Sequence, residues 1–358
     1  MFEKTFELPI SRDYVRHWGV VEAVREIIQN ALDSDSPFIY QWTETQDGIA
    51  LRITSEYGKL DHKTLLLGST SKADADDKIG SFGEGYKIAL LVLTRENRKT
   101  VVFNNGVTWT PEFFKSRQFD AEMLRIVEEK DPEGRGKGLS FVVNGLTDQE
   151  KSSITEMCLH MQRSVGEVID TSKGQILLDR VGKLYVNGLY VSEIKGFEHG
   201  YNIKPQYLKL ERDRKTVDSF DLKFLTKDMW FESDRKDEVV KMMDENKPDM
   251  EYAHYSTPEV VKQACYEHFV NNYSGQIIAD DYKELKTLVK RGMTVYSGGG
   301  SYGSVVSNHP KYSREKPKEK TPSEVLKEWF SANRSNMRTS SIVAFKDLLE
   351  QSKDWGIK

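Results

Sequence analysis

Residues 25–33 read Arg25-Glu26-Ile27-Ile28-Gln29-Asn30-Ala31-Leu32-Asp33, and residues 79–87 read Ile79-Gly80-Ser81-Phe82-Gly83-Glu84-Gly85-Tyr86-Lys87. The first stretch sets a carboxylate and a carboxamide four residues apart, one turn along the same face of a helix. Val15, Trp18, Val21, Val24, Ile27, Ile28 and Leu32 recur at intervals of three and four, so the spacing predicts an amphipathic helix capped by Ser11 and stopped before Pro37. Glu26 and Asn30 fall beside its buried stripe, where a pocket wall would stand. The second stretch is glycine-rich and runs into the apolar segment Ile88 to Leu93. A glycine-rich helix start suits a phosphate, because free backbone N–H groups and the positive end of the dipole face the ligand. An acid to activate water, an amide to hold magnesium and a phosphate cradle are the parts of a nucleotide hydrolase.

In order and spacing these residues resemble the GHKL ATPase superfamily of gyrase B, heat-shock chaperones, sensor histidine kinases, MutL and MORC proteins. Glu26, Asn30-Ala31 and Asp33 resemble its N-box; Gly80, Gly83 and Gly85 resemble its second glycine box. The likeness covers roughly residues 11–145. The family's first glycine box is usually Asp-x-Gly-x-Gly, and its Asp reads the adenine amine. Here the place holds Ser55-Glu56-Tyr57-Gly58-Lys59-Leu60, so Glu56, the better substitute, or Ser55, the next, must take its part. Gly138-Leu139-Ser140-Phe141 falls where the family has a third, weaker box, with Ser140 as its hydroxyl. The compact form resembles MORC-like and phage-encoded members, which implies the host cytoplasm if the protein is phage-encoded.

Composition sets outer bounds. The chain has 358 residues, 38% hydrophobic and 30% charged, with net charge −4. That suits two soluble domains, or one with extensions, and bulk charge does not argue for nucleic acid. No apolar run is long enough to span a bilayer, and the N-terminus has no signal-peptide pattern. Cys158 and Cys265 read as reduced thiols of a cytosolic protein, and the seven histidines form no ligand pattern.

Along the chain, 38–43 and 48–54 read as a β-hairpin, and 100–103 and 139–143 as strands. The polar stretch 73–78 lies where the family keeps its ATP lid. Thr147-Asp148-Gln149-Glu150 is a capping box that predicts a helix to about residue 169. Asn187-Gly188 marks a type I′ hairpin. Ser297-Gly298-Gly299-Gly300-Ser301 reads as linker, residues 310–322 as a charged, proline-rich extension of it, and two short helices follow.

The expected architecture is therefore an α/β GHKL (Bergerat) two-layer sandwich at 1–170, helices over a mixed sheet. A smaller α+β, transducer-like domain would follow at 171–296, then a flexible linker at 297–322 and C-terminal helices at 323–358. Glu26 is the candidate general base and Asn30 the candidate magnesium ligand. A lone helical glutamate is usually a solvated surface group; Asn30 and Asp33 in register argue otherwise. Asp33 supports the site by hydrogen bonding. Gly80, Phe82, Gly83, Glu84, Gly85 and Tyr86 form the phosphate loop. Lys87 flanks it as a phosphate-neutralising cation, and Lys72 is equally a phosphate contact or a solvated lysine. From the second domain, Arg212, Arg214 or Lys215 would reach the γ-phosphate, as a basic residue does in gyrase- and MutL-like members. The resemblance implies ATP with Mg2+, slow hydrolysis, a homodimer formed on ATP binding, and action on a protein or nucleic-acid partner. The rival is a degenerate, non-hydrolysing module that captures such a partner.

Overall fold

The structure is a computed structural model that describes residues 3–34, 36–66, 84–131, 138–208, 219–296, 298–313 and 322–351. It divides into two compact units, residues 1–265 with 298–305, and residues 266–297 with 306–358.

The first unit opens with β1 (Glu3–Ser11), then α1 (Val20–Leu32) and the hairpin β2 (Ile39–Thr45) and β3 (Gly48–Ser55). After the short turn His62–Leu65 come α2 (Gly85–Arg95), β4 (Thr100–Asn104), β5 (Val107–Ser116), β6 (Ala121–Lys130), β7 (Leu139–Leu146) and α3 (Asp148–Met157). The strands form one sheet in the order β1-β6-β5-β4-β7-β3-β2. Each described pairing in it is antiparallel, which corrects the expected mixed sheet. The hairpins β2–β3, β4–β5 and β5–β6 join successive strands by short turns, which only antiparallel pairing allows.

One face of this sheet is apolar. Leu8 and Ile10, Leu51 and Ile53, Val102, Trp109, Leu124 and Ile126, and Phe141 and Val143 share a single core with the helices. Alternation along each strand delivers them to the same side. From α1 the core receives Val20, Ala23, Val24, Ile27, Ile28 and Ala31, a stripe of helical period. In α2, residues 86–93 are all buried, as expected of a helix enclosed on all sides.

Ser11 does not cap α1. It ends β1, and residues 12–17 turn, with Val15 at φ 46, a conformation no helix contains. Arg95 holds that turn by donating to the carbonyls of Tyr14 at 3.1 Å and Trp18 at 2.7 Å. The helix instead starts at Gly19, whose N–H donates to Glu22 Oε2 at 3.0 Å. α3 has the expected capping box, Thr147 with Glu150, but stops at Met157.

The remainder of the unit carries β8 (Val168–Thr171), β9 (Gly174–Leu177), β10 (Lys183–Val186), β11 (Leu189–Glu193) and β12 (Gly200–Ile203), in the order β11-β10-β12-β9-β8. The Asn187-Gly188 hairpin forms as read, with both residues at positive φ, 49 and 77. β10 and β12 pair in parallel. α4 (Ser219–Glu232), α5 (Lys236–Asp244) and α6 (Glu259–Asn272) follow. Trp230 Nε1 donates to the buried Tyr201 hydroxyl at 2.8 Å, which itself donates to Asp249, so α4 is pinned to β12.

In the second unit α7 (Tyr282–Lys290) connects the parallel pair β13 (Ile277–Ile278) and β14 (Val295–Tyr296). Residues 298–305, which belong to the first unit, lead from the glycine run read as linker into α8 (Gly300–Ser307); there Tyr302 is buried and donates to the Cys265 carbonyl of the same unit at 3.1 Å. α9 (Pro322–Asn333) and α10 (Thr339–Gln351) meet through Phe345, stacked at 5.1 Å on both Trp329 and Phe330. Among the described residues no helix is long and apolar enough to cross a membrane.

Candidate functional site

α1 carries Glu26 and Asn30 one turn apart. Glu26 is 2% exposed and Asn30 half-buried. Asn30 Nδ2 donates to the Glu26 carbonyl at 2.8 Å, so the amide nitrogen is committed to the helix and Oδ1 is turned the other way. Arg25 Nη1 lies 3.5 Å from Glu26 Oε1 and 3.4 Å from Gln29 Oε1. Asp33, also buried, is the C-cap of α1, its N–H returning to the Gln29 carbonyl at 2.9 Å.

The first turn of α2 closes on this pair. A Cβ placed on Gly85 would overlap Glu26 Oε2, lie 3.4 Å from Glu26 Cδ and 3.6 Å from Asn30 Nδ2. Only glycine lets the helix start approach a carboxylate this closely. The two sequence stretches thus meet in space: a buried carboxylate, a carboxamide and the N-terminus of a helix, whose dipole favours negative charge. Glu84 is the N-cap of α2.

Tyr86 and Lys87 turn away from Glu26 toward the end of the His62–Leu65 turn. The Tyr86 hydroxyl donates to the Thr64 carbonyl at 2.8 Å and lies 2.9 Å from Thr64 Oγ1. Burial pushes this phenol up to about 12, offset in part by the Thr64 contact. Lys87 is fully buried, and its ammonium donates to the carbonyls of Thr64 at 2.8 Å and Leu66 at 2.5 Å. Burial lowers its pKa, with the charge of Glu84 opposing. The expectation of a phosphate-neutralising Lys87 is therefore corrected: two carbonyls hold its charge.

The candidates for base recognition separate. Ser55 is buried on the helix-facing side, continuing the alternation of Leu51 and Ile53, and its Oγ accepts from Ser34 Oγ at 3.4 Å just beyond α1. Glu56 is exposed. Leu60 beyond it is held by Asn104, whose side chain accepts from the Leu60 N–H at 3.1 Å and donates to its carbonyl at 2.8 Å. Ser140 does not join the site. It pairs in register with Thr54, their hydroxyls 2.9 Å apart, and both point to the sheet face opposite Ile53 and Phe141. Paired residues share a face and neighbours along each strand alternate, so Ser140 lies away from the helix layer that Phe141 faces.

Lys72, Gly80, Phe82 and Gly83, and Arg212, Arg214 and Lys215, lie outside the described residues. Arg25 and the Thr64 and Leu66 carbonyls were not legible as site neighbours. Arg25 had a faint signal in its position beside Glu26 and one turn before Gln29; the carbonyls had none. Among the described residues there is no group of three or more His, Cys, Asp or Glu that could hold a metal ion by itself.

No family model matches the chain. It is 25% identical over 212 residues to an uncharacterised protein of Mycoplasma pneumoniae, a match covering 56% of this chain and 86% of that protein. Among solved structures, the ATPase and transducer domains of a DNA topoisomerase II from Balamuthia mandrillaris align with 69% of this chain and 74% of theirs. That alignment has 12% identity and a TM-score of 0.32, too slight a likeness to bear on fold or activity.

Proposed function

We propose that the first 170 residues form a GHKL-type domain that binds ATP with Mg2+ and hydrolyses it slowly, a switch for lid closure and dimerisation that acts on a protein or nucleic-acid partner. The observation that carries this reading is the approach of Gly85 to Glu26 and Asn30. It joins a candidate base, a candidate metal ligand and a helix N-terminus suited to phosphate.

In this reading Glu26 accepts a proton from the attacking water, and ADP leaves as the γ-phosphoryl is transferred to that water. The backbone N–H groups at the start of α2 hold the phosphates. Asn30 Oδ1 fits magnesium, which takes oxygen ligands and keeps several waters beside the phosphates, so one protein ligand suffices. Bound with ATP, the ion neutralises charge on the phosphate oxygens. Asp33 braces the end of α1, and Ser55 faces the base. Gly80, Phe82 and Gly83 would complete the phosphate loop, with Lys72 flanking it as a phosphate contact or a solvated lysine. A transducer-like region at 171–296 supplies Arg212, Arg214 or Lys215 to the γ-phosphate.

One observation favours the rival, non-hydrolysing module: the helix-facing residue at the end of β3 is a serine, where the family has a carboxylate. Titration calorimetry with ATP, ADP and a non-hydrolysable ATP analogue, with and without magnesium, separates the two. Magnesium-dependent binding followed by turnover supports the ATPase; absence of binding selects the rival.

A further inference from the structure

We propose that Lys87 is a positioning residue: its ammonium ties the carbonyls of Thr64 and Leu66 to the first turn of α2 and so fixes Gly85 against the Glu26 carboxylate. The role rests on the ATPase reading above; the clamp itself rests on geometry alone.

A fully buried lysine is uncommon and costly unless its charge is met. Here two backbone carbonyls meet it, at 2.8 and 2.5 Å. Hydrogen bonds to a charged donor are the stronger kind. Tyr86, its neighbour on the same turn, adds a third bond to the same segment through the Thr64 carbonyl at 2.8 Å. The segment is anchored at its other end too. His62 lies 2.7 Å from Glu128 Oε2, which also accepts from Trp109 Nε1 at 2.8 Å, and the His62 ring stacks on Phe6 at 4.7 Å.

Residues 62–66 are therefore fastened to the sheet by His62 and to α2 by Tyr86 and Lys87. Gly85 sits two residues before Lys87, on the turn that the clamp holds. A shift of that turn by a few tenths of an ångström alters the contact between Gly85 and Glu26, since the two already touch. A charge held this way is not offered to phosphate, so Lys87 acts through backbone placement rather than by touching the nucleotide.

The test compares wild type with Lys87→Met, which keeps the stem and removes the charge, and with Tyr86→Phe, which keeps the lysine and removes the hydroxyl. Hydrogen exchange is followed without nucleotide. Affinities for AMP, ADP and ATP and single-turnover hydrolysis are then measured. In Lys87→Met, exchange in peptides covering 62–66 and 84–90 is expected to rise on the order of ten- to a hundredfold, as for lost charged hydrogen bonds. Peptides of α3 and of β5–β6 are expected to stay at wild-type rates. Turnover falls, and the three nucleotides lose affinity by a common factor. Tyr86→Phe gives a smaller change in the same peptides, and it decides the matter if Lys87→Met does not fold. Unchanged exchange, or a loss of affinity that grows with each added phosphate, overturns the proposal. If wild type binds no nucleotide, the ATPase reading fails and the exchange measurements still test the clamp.

Discussion

The α-carbon of Gly85 lies against the carboxylate of Glu26, so close that a Cβ at residue 85 and Oε2 of residue 26 would occupy the same space. The atom in the way is the end of a flexible side chain, so Gly85→Ala is expected to displace the carboxylate and leave the fold intact. Turnover falls toward the level of a missing general base, a loss of about 10²–10⁴-fold. Thermal unfolding shifts little. In a Glu26→Ala background the same substitution adds nothing further, since residues in contact are not additive. Independent, additive losses would contradict the contact.

Asn30→Ala removes the carboxamide oxygen expected to meet magnesium. Nucleotide affinity measured with magnesium falls, and affinity measured in chelator stays the same. A loss that is equal in both conditions assigns Asn30 to helix packing instead.

Base selection is expected to reside in Ser55, which faces the helices, and not in the exposed Glu56. Ser55→Ala removes a hydrogen-bonding group at a cost of about 1–3 kcal/mol and narrows the preference for ATP over GTP. Glu56→Ala leaves the preference unchanged. Competition binding with both nucleotides reads the outcome, and a preference erased by Glu56→Ala alone would reverse the assignment.

Much of this was legible in the chain, and the failures have physical causes. The three-and-four spacing from Val20 to Leu32 marks α1, and Asn187-Gly188 marks its hairpin. Val15 and Trp18 continue the same spacing upstream, yet they lie in and just after the turn at 12–17, because Arg95 supplies bonds to that segment from far along the chain. The long β5–β6 ribbon was not read from the sequence: Pro111 interrupts β5, and β6 places Glu122 and Glu128 in phase with its core residues Leu124 and Ile126, so neither strand shows a clean apolar–polar alternation. Ser140 was assigned through the likeness to the third glycine box, although alternation along its own strand sets it on the face opposite the core residues Phe141 and Val143. Lys87 carries no local sign of burial. Its partners are backbone carbonyls, which every residue has. The meeting of Gly85 with Glu26 was suggested by the resemblance, but spacing within either stretch does not contain it.

Alkaline stability offers a test of the Tyr86 environment. Burial raises this phenol from the ordinary 10.0 to about 12. The folded state therefore holds the proton more tightly than the unfolded chain. Its stabilising share is fully present below pH 10 and is lost as pH rises from there toward about 12. Denaturant midpoints across that window are expected to fall less steeply in Tyr86→Phe than in wild type. Identical slopes would place Tyr86 in a solvated environment.

The central claim is that Glu26 is the base of an ATPase. Its most direct test is ATP hydrolysis by wild type and by Glu26→Ala, with binding of a non-hydrolysable ATP analogue measured on the same preparations. The expected result is magnesium-dependent turnover in wild type, a loss of about 10²–10⁴-fold in Glu26→Ala, and nearly equal binding by both. Turnover at the wild-type rate in Glu26→Ala, or no turnover in wild type at saturating ATP, would contradict it.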